Sequence, residues 1–172
     1  MTAPTTTIDV IDRLAGIGPQ SKAAELRRQK PDLVQFAQGS YDALLEPVAP
    51  EGVSLVERHA IAYRAALLTR FPDVAEWHRA RLEELGAAPE TIQAIAEFTN
   101  GHGDVDPRLE ALLAHTNRVT VSPGSAQPEH IAQLKAAGLT PKEIVTVGQL
   151  VAFVSYQVRA IAVARAFEES YA

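Results

Sequence analysis

Residues 54–86, SLVERHAIAYRAALLTRFPDVAEWHRARLEELG, limit what this chain can fold into more than any other stretch. Ser54 followed by Glu57 is a capping box, in which each side chain satisfies a backbone N–H that the first helical turn leaves without a partner. From there Leu55, His59, Ala62, Ala66 and Thr69 recur at three or four residues, the spacing of one helical face. Ala60, Ala65 and Ala66 are small enough for a neighbouring helix to come close. Phe71-Pro72 must end this helix and begin another, because proline has no N–H to donate and suits a first turn rather than an interior. The second helix carries Val74, Trp77, His78, Arg81, Leu82 and Leu85, and Gly86 stops it. The expected product is a pair of antiparallel helices.

The rest of the chain reads as more of the same. Residues 1–7 look like a frayed end. Ile8, Ile11, Leu14 and Ala15 make a short amphipathic helix stopped by Gly16 and Gly18-Pro19. Ser21 caps a second helix that Pro31 ends, and a third follows with Leu33, Phe36, Ala37, Tyr41, Leu44 and Leu45 on one side. Glu46-Pro47 to Gly52 is a loop, the expected boundary between an N-terminal arm (1–50) and a core (51–172). Pro89, Asp106-Pro107 and Pro128 open further helices, Asn100 to Asp104 is a turn-rich loop, and Gly138 closes a helix. Thr140-Pro141-Lys142-Glu143 is a second capping box, launching the longest apolar helix, roughly to Ala166. Arg118–Val121 is the best strand candidate and reads more readily as a helix end. The two capping boxes align as a weak internal repeat.

Composition narrows the chemistry. A chain of 172 residues is one domain, or one domain with an arm. A net charge of −5 offers nothing to nucleic acid or to an anionic membrane. The richest apolar run, Ile144 to Val163, is interrupted by Gln149, Gln157 and Arg159, and the N-terminus lacks a basic segment followed by an apolar one, so a cytoplasmic location is expected. The absence of cysteine excludes disulfides, thiolate zinc sites and any reaction using a thiol of this chain.

Ser54-Leu55, Glu57-Arg58, Ala60-Ile61-Ala62, His78-Arg79-Ala80-Arg81-Leu82 and Leu85-Gly86 together resemble the core of the carboxymuconolactone decarboxylase and alkylhydroperoxidase D-like family. The resemblance is specific over residues 51–86 and looser over 139–167. It implies an all-α, alkylhydroperoxidase D-like helical bundle with an N-terminal helical arm, built of two comparable halves and assembled as a homo-oligomer. Cysteine-bearing members use a C-x-x-C pair at a helix start, with a glutamate and a histidine relaying protons, to reduce peroxides. Here Phe71 and Val74 stand at the two cysteine positions and His59 at the glutamate position, so only His78 matches.

His59 and His78 are the candidate catalytic pair, since imidazole exchanges protons near neutrality; the alternative is a buried or surface structural role. Placing the break between the helices at 70–72 offsets the two residues by about 7 Å along the axes. Both rings are therefore expected to open onto one cavity, with Phe71 and Val74 on its wall, without bonding each other. A metal would need a third ligand such as Glu57 or Glu76, and none is expected; no cofactor is implied. Arg159, in an otherwise apolar helix, is expected to be buried, either in an ion pair or as a carboxylate-binding group. His102, His115 and His130 read as loop or polar-face residues. The function implied is that of a small-molecule-binding or accessory protein without thiol peroxidase activity, its ligand small and apolar or a carboxylate. The alternatives are an acid–base enzyme of the decarboxylase type, and a structural or regulatory partner of a cysteine-bearing paralogue.

Overall fold

The computed structural model describes residues 9–99 and 104–171. The readings made for residues 1–7, for Ile8, for most of the 100–104 loop and for His102 lie outside them. The described residues form nine α-helices and no strand: α1 (Val10–Ala15), α2 (Lys22–Arg28), α3 (Pro31–Leu44), α4 (Leu55–Leu68), α5 (Pro72–Glu84), α6 (Pro89–Glu97), α7 (Pro107–Val121), α8 (Pro128–Ala136) and α9 (Pro141–Glu169). The chemistry at their ends explains the boundaries. Both capping boxes close, Ser54 with Glu57 and Thr140 with Glu143. Proline opens α3 and each helix from α5 to α9. Residues 118–121 are the last turn of α7.

Helix α4 is the axis of the molecule and packs against α5, α6, α7 and α9. Residues 58 to 66 are all buried, so α4 is enclosed on every side, and Ala60, Ala62, Ala65 and Ala66 admit its neighbours. Two arginines share this interior, neither with a carboxylate within ion-pair distance among the described residues. Arg58 donates to the carbonyls of Val53 and Leu44, the latter the last residue of α3. Arg64 donates to the carbonyls of Ile95 and Ala96, at the end of α6, and to Asn117 Oδ1. Each cation thus satisfies carbonyls that a helix C-terminus leaves open.

The starts of α4 and α9 are tied together. Arg108 of α7 donates from Nε to Glu57 (2.6 Å) and from Nη2 to Glu143 (3.1 Å), the acidic members of the two capping boxes. The same guanidinium donates to the Gly52 carbonyl. At the far end, α9 holds the N-terminal helices. Arg165 donates to the carbonyls of Leu14 and Ala15 at the end of α1 and pairs with Asp73; Glu168 accepts from the Ala23 N–H at the start of α2. Val10, Ile11, Leu14 and Ala23 join the same hydrophobic core as α4 and α9.

Helix α3 departs from its expected stripe. Ala37, Tyr41 and Leu45 are buried, but Leu33 and Phe36 are 61% and 65% exposed. Phe36 instead fronts a groove whose other wall is Gln149, Ala152 and Phe153 of α9. Helix α9 is long and apolar enough to cross a membrane by length and composition, and 44% of its most apolar window is buried inside this fold.

Candidate functional site

The turn between α4 and α5 is built by Thr69, Arg70 and Phe71. Arg70 takes a left-handed backbone (φ 57°), which lets the chain reverse sharply before Pro72. The reversal lays α5 along α4 and brings His59 and His78 together. Their Nδ1 atoms are 3.0 Å apart, and their ring centroids 5.2 Å with the planes tilted by 46°. Both rings have zero exposure.

This corrects the expectation of two unbonded imidazoles opening onto a cavity. Helix α4 ends at Leu68 rather than at residue 70, so His59 is nine residues from its helix end and His78 six into the next. The axial offset shrinks to roughly 4–5 Å, which two tilted rings can span. Val74 is fully buried in the core, and Phe71 is partly buried against it with the Arg165 guanidinium 5.3 Å from its ring.

A third group completes the cluster. Glu46, from the loop after α3, places Oε1 3.2 Å from His59 Nε2. The distance is that of an ion pair, but the contact is not aligned as a hydrogen bond, and His59 Nε2 makes none. Arg81 of α5 grips the same carboxylate from Nε (2.7 Å) and Nη2 (2.9 Å). That hydrogen bonding from Arg81 holds Glu46 below the usual carboxylate range. Sequence reasoning missed Glu46. The acids it considered are engaged elsewhere, Glu57 with Ser54 and Arg108, Glu76 with Arg79. Among the described residues no group of three or more histidine, cysteine, aspartate or glutamate side chains is arranged to hold a metal ion.

The electrostatics assign the protons. Burial pushes His59 down to about 4, against the pull of Glu46, and burial followed by the charge of His59 pushes His78 well below the ordinary range. Both rings are therefore neutral at pH 7. An ionised Glu46 beside Nε2 of His59 favours a proton on that nitrogen, which makes Nδ1 of His59 the acceptor and Nδ1 of His78 the donor. Nε2 of His78 is then a bare lone pair, buried and without a hydrogen-bond partner among the described residues. The one hydrogen bond between the rings can carry a proton from one imidazole to the other, and no thiol stands beside it.

Arg159 is exposed, contrary to expectation, and its Nη1 donates to the Ser155 carbonyl one turn back. His115, read as a polar-face residue, is 7% exposed on α7, and burial lowers its pKa. Gln157 of α9 is wholly buried, and neither polar atom of its amide has a hydrogen-bond partner among the described residues.

No protein-family model and no curated protein matches the chain. Among solved structures it is similar to an uncharacterised peroxidase-related protein from Ralstonia eutropha, described as an alkylhydroperoxidase AhpD core. The two share 19% sequence identity over 87% of this chain and 76% of that one, with a TM-score of 0.68. The chain therefore has the alkylhydroperoxidase D-like fold.

Proposed function

We propose that this chain is a cysteine-less member of the carboxymuconolactone decarboxylase and alkylhydroperoxidase D-like family, and acts as a small-molecule-binding or accessory protein without thiol peroxidase activity. The sealed His59–His78 pair carries the reading. A thiol peroxidase needs a thiolate that a peroxide can reach. Here the chain has no cysteine, Val74 is packed in the core, and the matching histidine is tied to a second imidazole. The fold is kept while the place of the reaction centre serves as core.

A soluble, cytoplasmic homo-oligomer belongs to the same proposal. The groove between Phe36 and Ala43 on α3 and Ala152 and Phe153 on α9 is an apolar surface for a second copy to cover. The deciding experiment measures peroxide consumption by metal-free protein with a dithiol donor. The expected rate is that of buffer, and turnover proportional to protein concentration overturns the reading.

The orphan lone pair on His78 Nε2 supports a second reading, an acid–base enzyme of the decarboxylase type acting on a small carboxylate or lactone. That reading requires the core to open. Titration of His78 near neutrality, followed by NMR, would favour it over the first.

A further inference from the structure

We propose that the outward face of α9 pairs with the same face of a second copy of this chain, the two helices antiparallel about a two-fold axis near Ser155 and Tyr156. The proposal rests on the homo-oligomer of the preceding reading and names its interface. Val145, Gln149, Ala152, Tyr156, Arg159 and Val163 all look outward. They recur in alternating steps of four and three residues, the spacing of a helix-pairing seam. Val145, Tyr156 and Val163 are 59%, 46% and 69% exposed, and Arg159 alone of the six is charged. Gly148 lies on the same face in mid-helix, where glycine weakens a helix, and a Cβ built on it meets nothing within 4 Å. No neighbour among the described residues requires the missing side chain, whereas a closely packed second helix does.

The seam is its own complement when reversed. In the antiparallel register each large side chain meets a small one: Val145 faces the second copy's Ala166, Val163 its Gly148, Arg159 its Ala152, Gln149 its Ala162 and Tyr156 its Ser155. In a parallel register every residue meets itself, so two Arg159 cations oppose each other and two Gly148 residues leave a gap. The flank of the seam agrees. Gln149 and Phe153 wall the groove beside α3, and Tyr156, Ala160 and Phe167 wall the one beside α2. These five positions fall on one helical stripe, so both grooves run along the same flank of α9. Reversal turns the α2 half of the second copy toward the α3 half of this one. Phe36 thereby meets Leu26, two exposed apolar side chains that a single chain leaves in water. The seam is about 30 Å long and, with one flanking helix, about 20 Å wide, so two copies bury on the order of 1,200 Å² in total, within the range of specific interfaces.

Light scattering on the full chain is expected to give an even multiple of the mass of one chain. Gly148→Leu fills open space in one copy and collides with Val163 of the other, so it should lower that mass at least twofold while the helical circular dichroism signal stays. The register is read separately by cross-linking, because the chain has no cysteine of its own. Under mild oxidation the double variant Ala152→Cys, Arg159→Cys should form a disulfide between chains, since the facing Cα atoms come within about 7 Å. Either single variant should form none, because its two copies of the new thiol lie about 10 Å apart along the helix axes. A cross-link in a single variant, none in the double variant, or an unchanged mass in Gly148→Leu overturns the proposal. An odd-numbered assembly overturns it too and leaves the homo-oligomer standing, whereas a monomeric parent protein removes both. None of these outcomes bears on peroxide turnover, so the accessory reading stands or falls separately.

Discussion

Nδ1 of His59 and Nδ1 of His78 lie 3.0 Å apart with both rings fully buried, so two neutral imidazoles share one N–H between them. The bond joins α4 to α5 across the core. It acts as a cross-brace between the two helices, and its energetics are measurable.

Removing either ring should cost stability. His78→Ala leaves Nδ1 of His59 unpaired in the core and opens a void, and we expect a loss of about 3 kcal/mol in urea unfolding. His59→Ala should cost a similar amount. The double replacement should cost less than the sum, with a coupling of about 1 kcal/mol. Strict additivity would mean that the two rings do not share a bond in solution.

The same pair should make the protein sensitive to mild acid. Both imidazoles have folded-state pKa values below those of the unfolded chain, near 6.5. Above that pH both states are neutral and the groups contribute nothing. As pH falls below it, the unfolded chain binds protons that the native core refuses, so stability is lost. With a folded value of about 4, His59 alone should account for a loss of about 2 kcal/mol between pH 7 and pH 5. Tm measured across that window should drop, and should drop less in the double replacement. A flat profile in the parent protein would sink the assignment of neutral rings.

Two glycines separate backbone strain from steric clash. Gly16 and Gly52 share a left-handed backbone, at φ 71° and 70°. A Cβ at Gly16 meets nothing within 4 Å, whereas one at Gly52 falls 2.5 Å from Glu143 Oε1. Gly16→Ala should therefore cost about 1 kcal/mol, the penalty of the conformation alone. Gly52→Ala should cost clearly more, because it displaces the carboxylate that caps α9 and pairs with Arg108. Equal Tm shifts would show that Glu143 moves aside freely.

Assembly is expected to depend on Phe36, which is 65% exposed beside the groove formed with α9. Light scattering at micromolar concentration should give a mass above that of one chain, and Phe36→Glu should lower it. A monomeric parent protein removes the homo-oligomer from the proposal.

What could be read from the sequence was whatever local chemistry decides. Ser54, Thr140 and the prolines at 72, 89, 107, 128 and 141 mark helix starts because a first turn has donors to satisfy wherever it lies. The convergence of Glu57 and Glu143 on Arg108 gives the weak internal repeat a physical meaning, but that meeting is tertiary and carries no sequence signal. Glu46 was illegible for a related reason. It lies in a loop before the recognisable stretch, and only the packing of α3 brings it to His59. Arg159 was misread because α9 is apolar on nearly every face, so periodicity did not say which side looks outward. The two histidines were found by position, while their bond turned on a helix end that sequence placed two residues late.

The grip of Arg165 and Glu168 on the ends of α1 and α2 also bears on the order of folding. Leu14, Ala15 and Ala23 reach their partners across sequence separations of 150 or 151 residues for Arg165 and 145 for Glu168. Contacts that span so much chain form late, after the local helical pairs have settled. During synthesis the first helices would emerge long before the residues that fasten them. They would have only α3 as a local partner until the end of α9 was free to reach them.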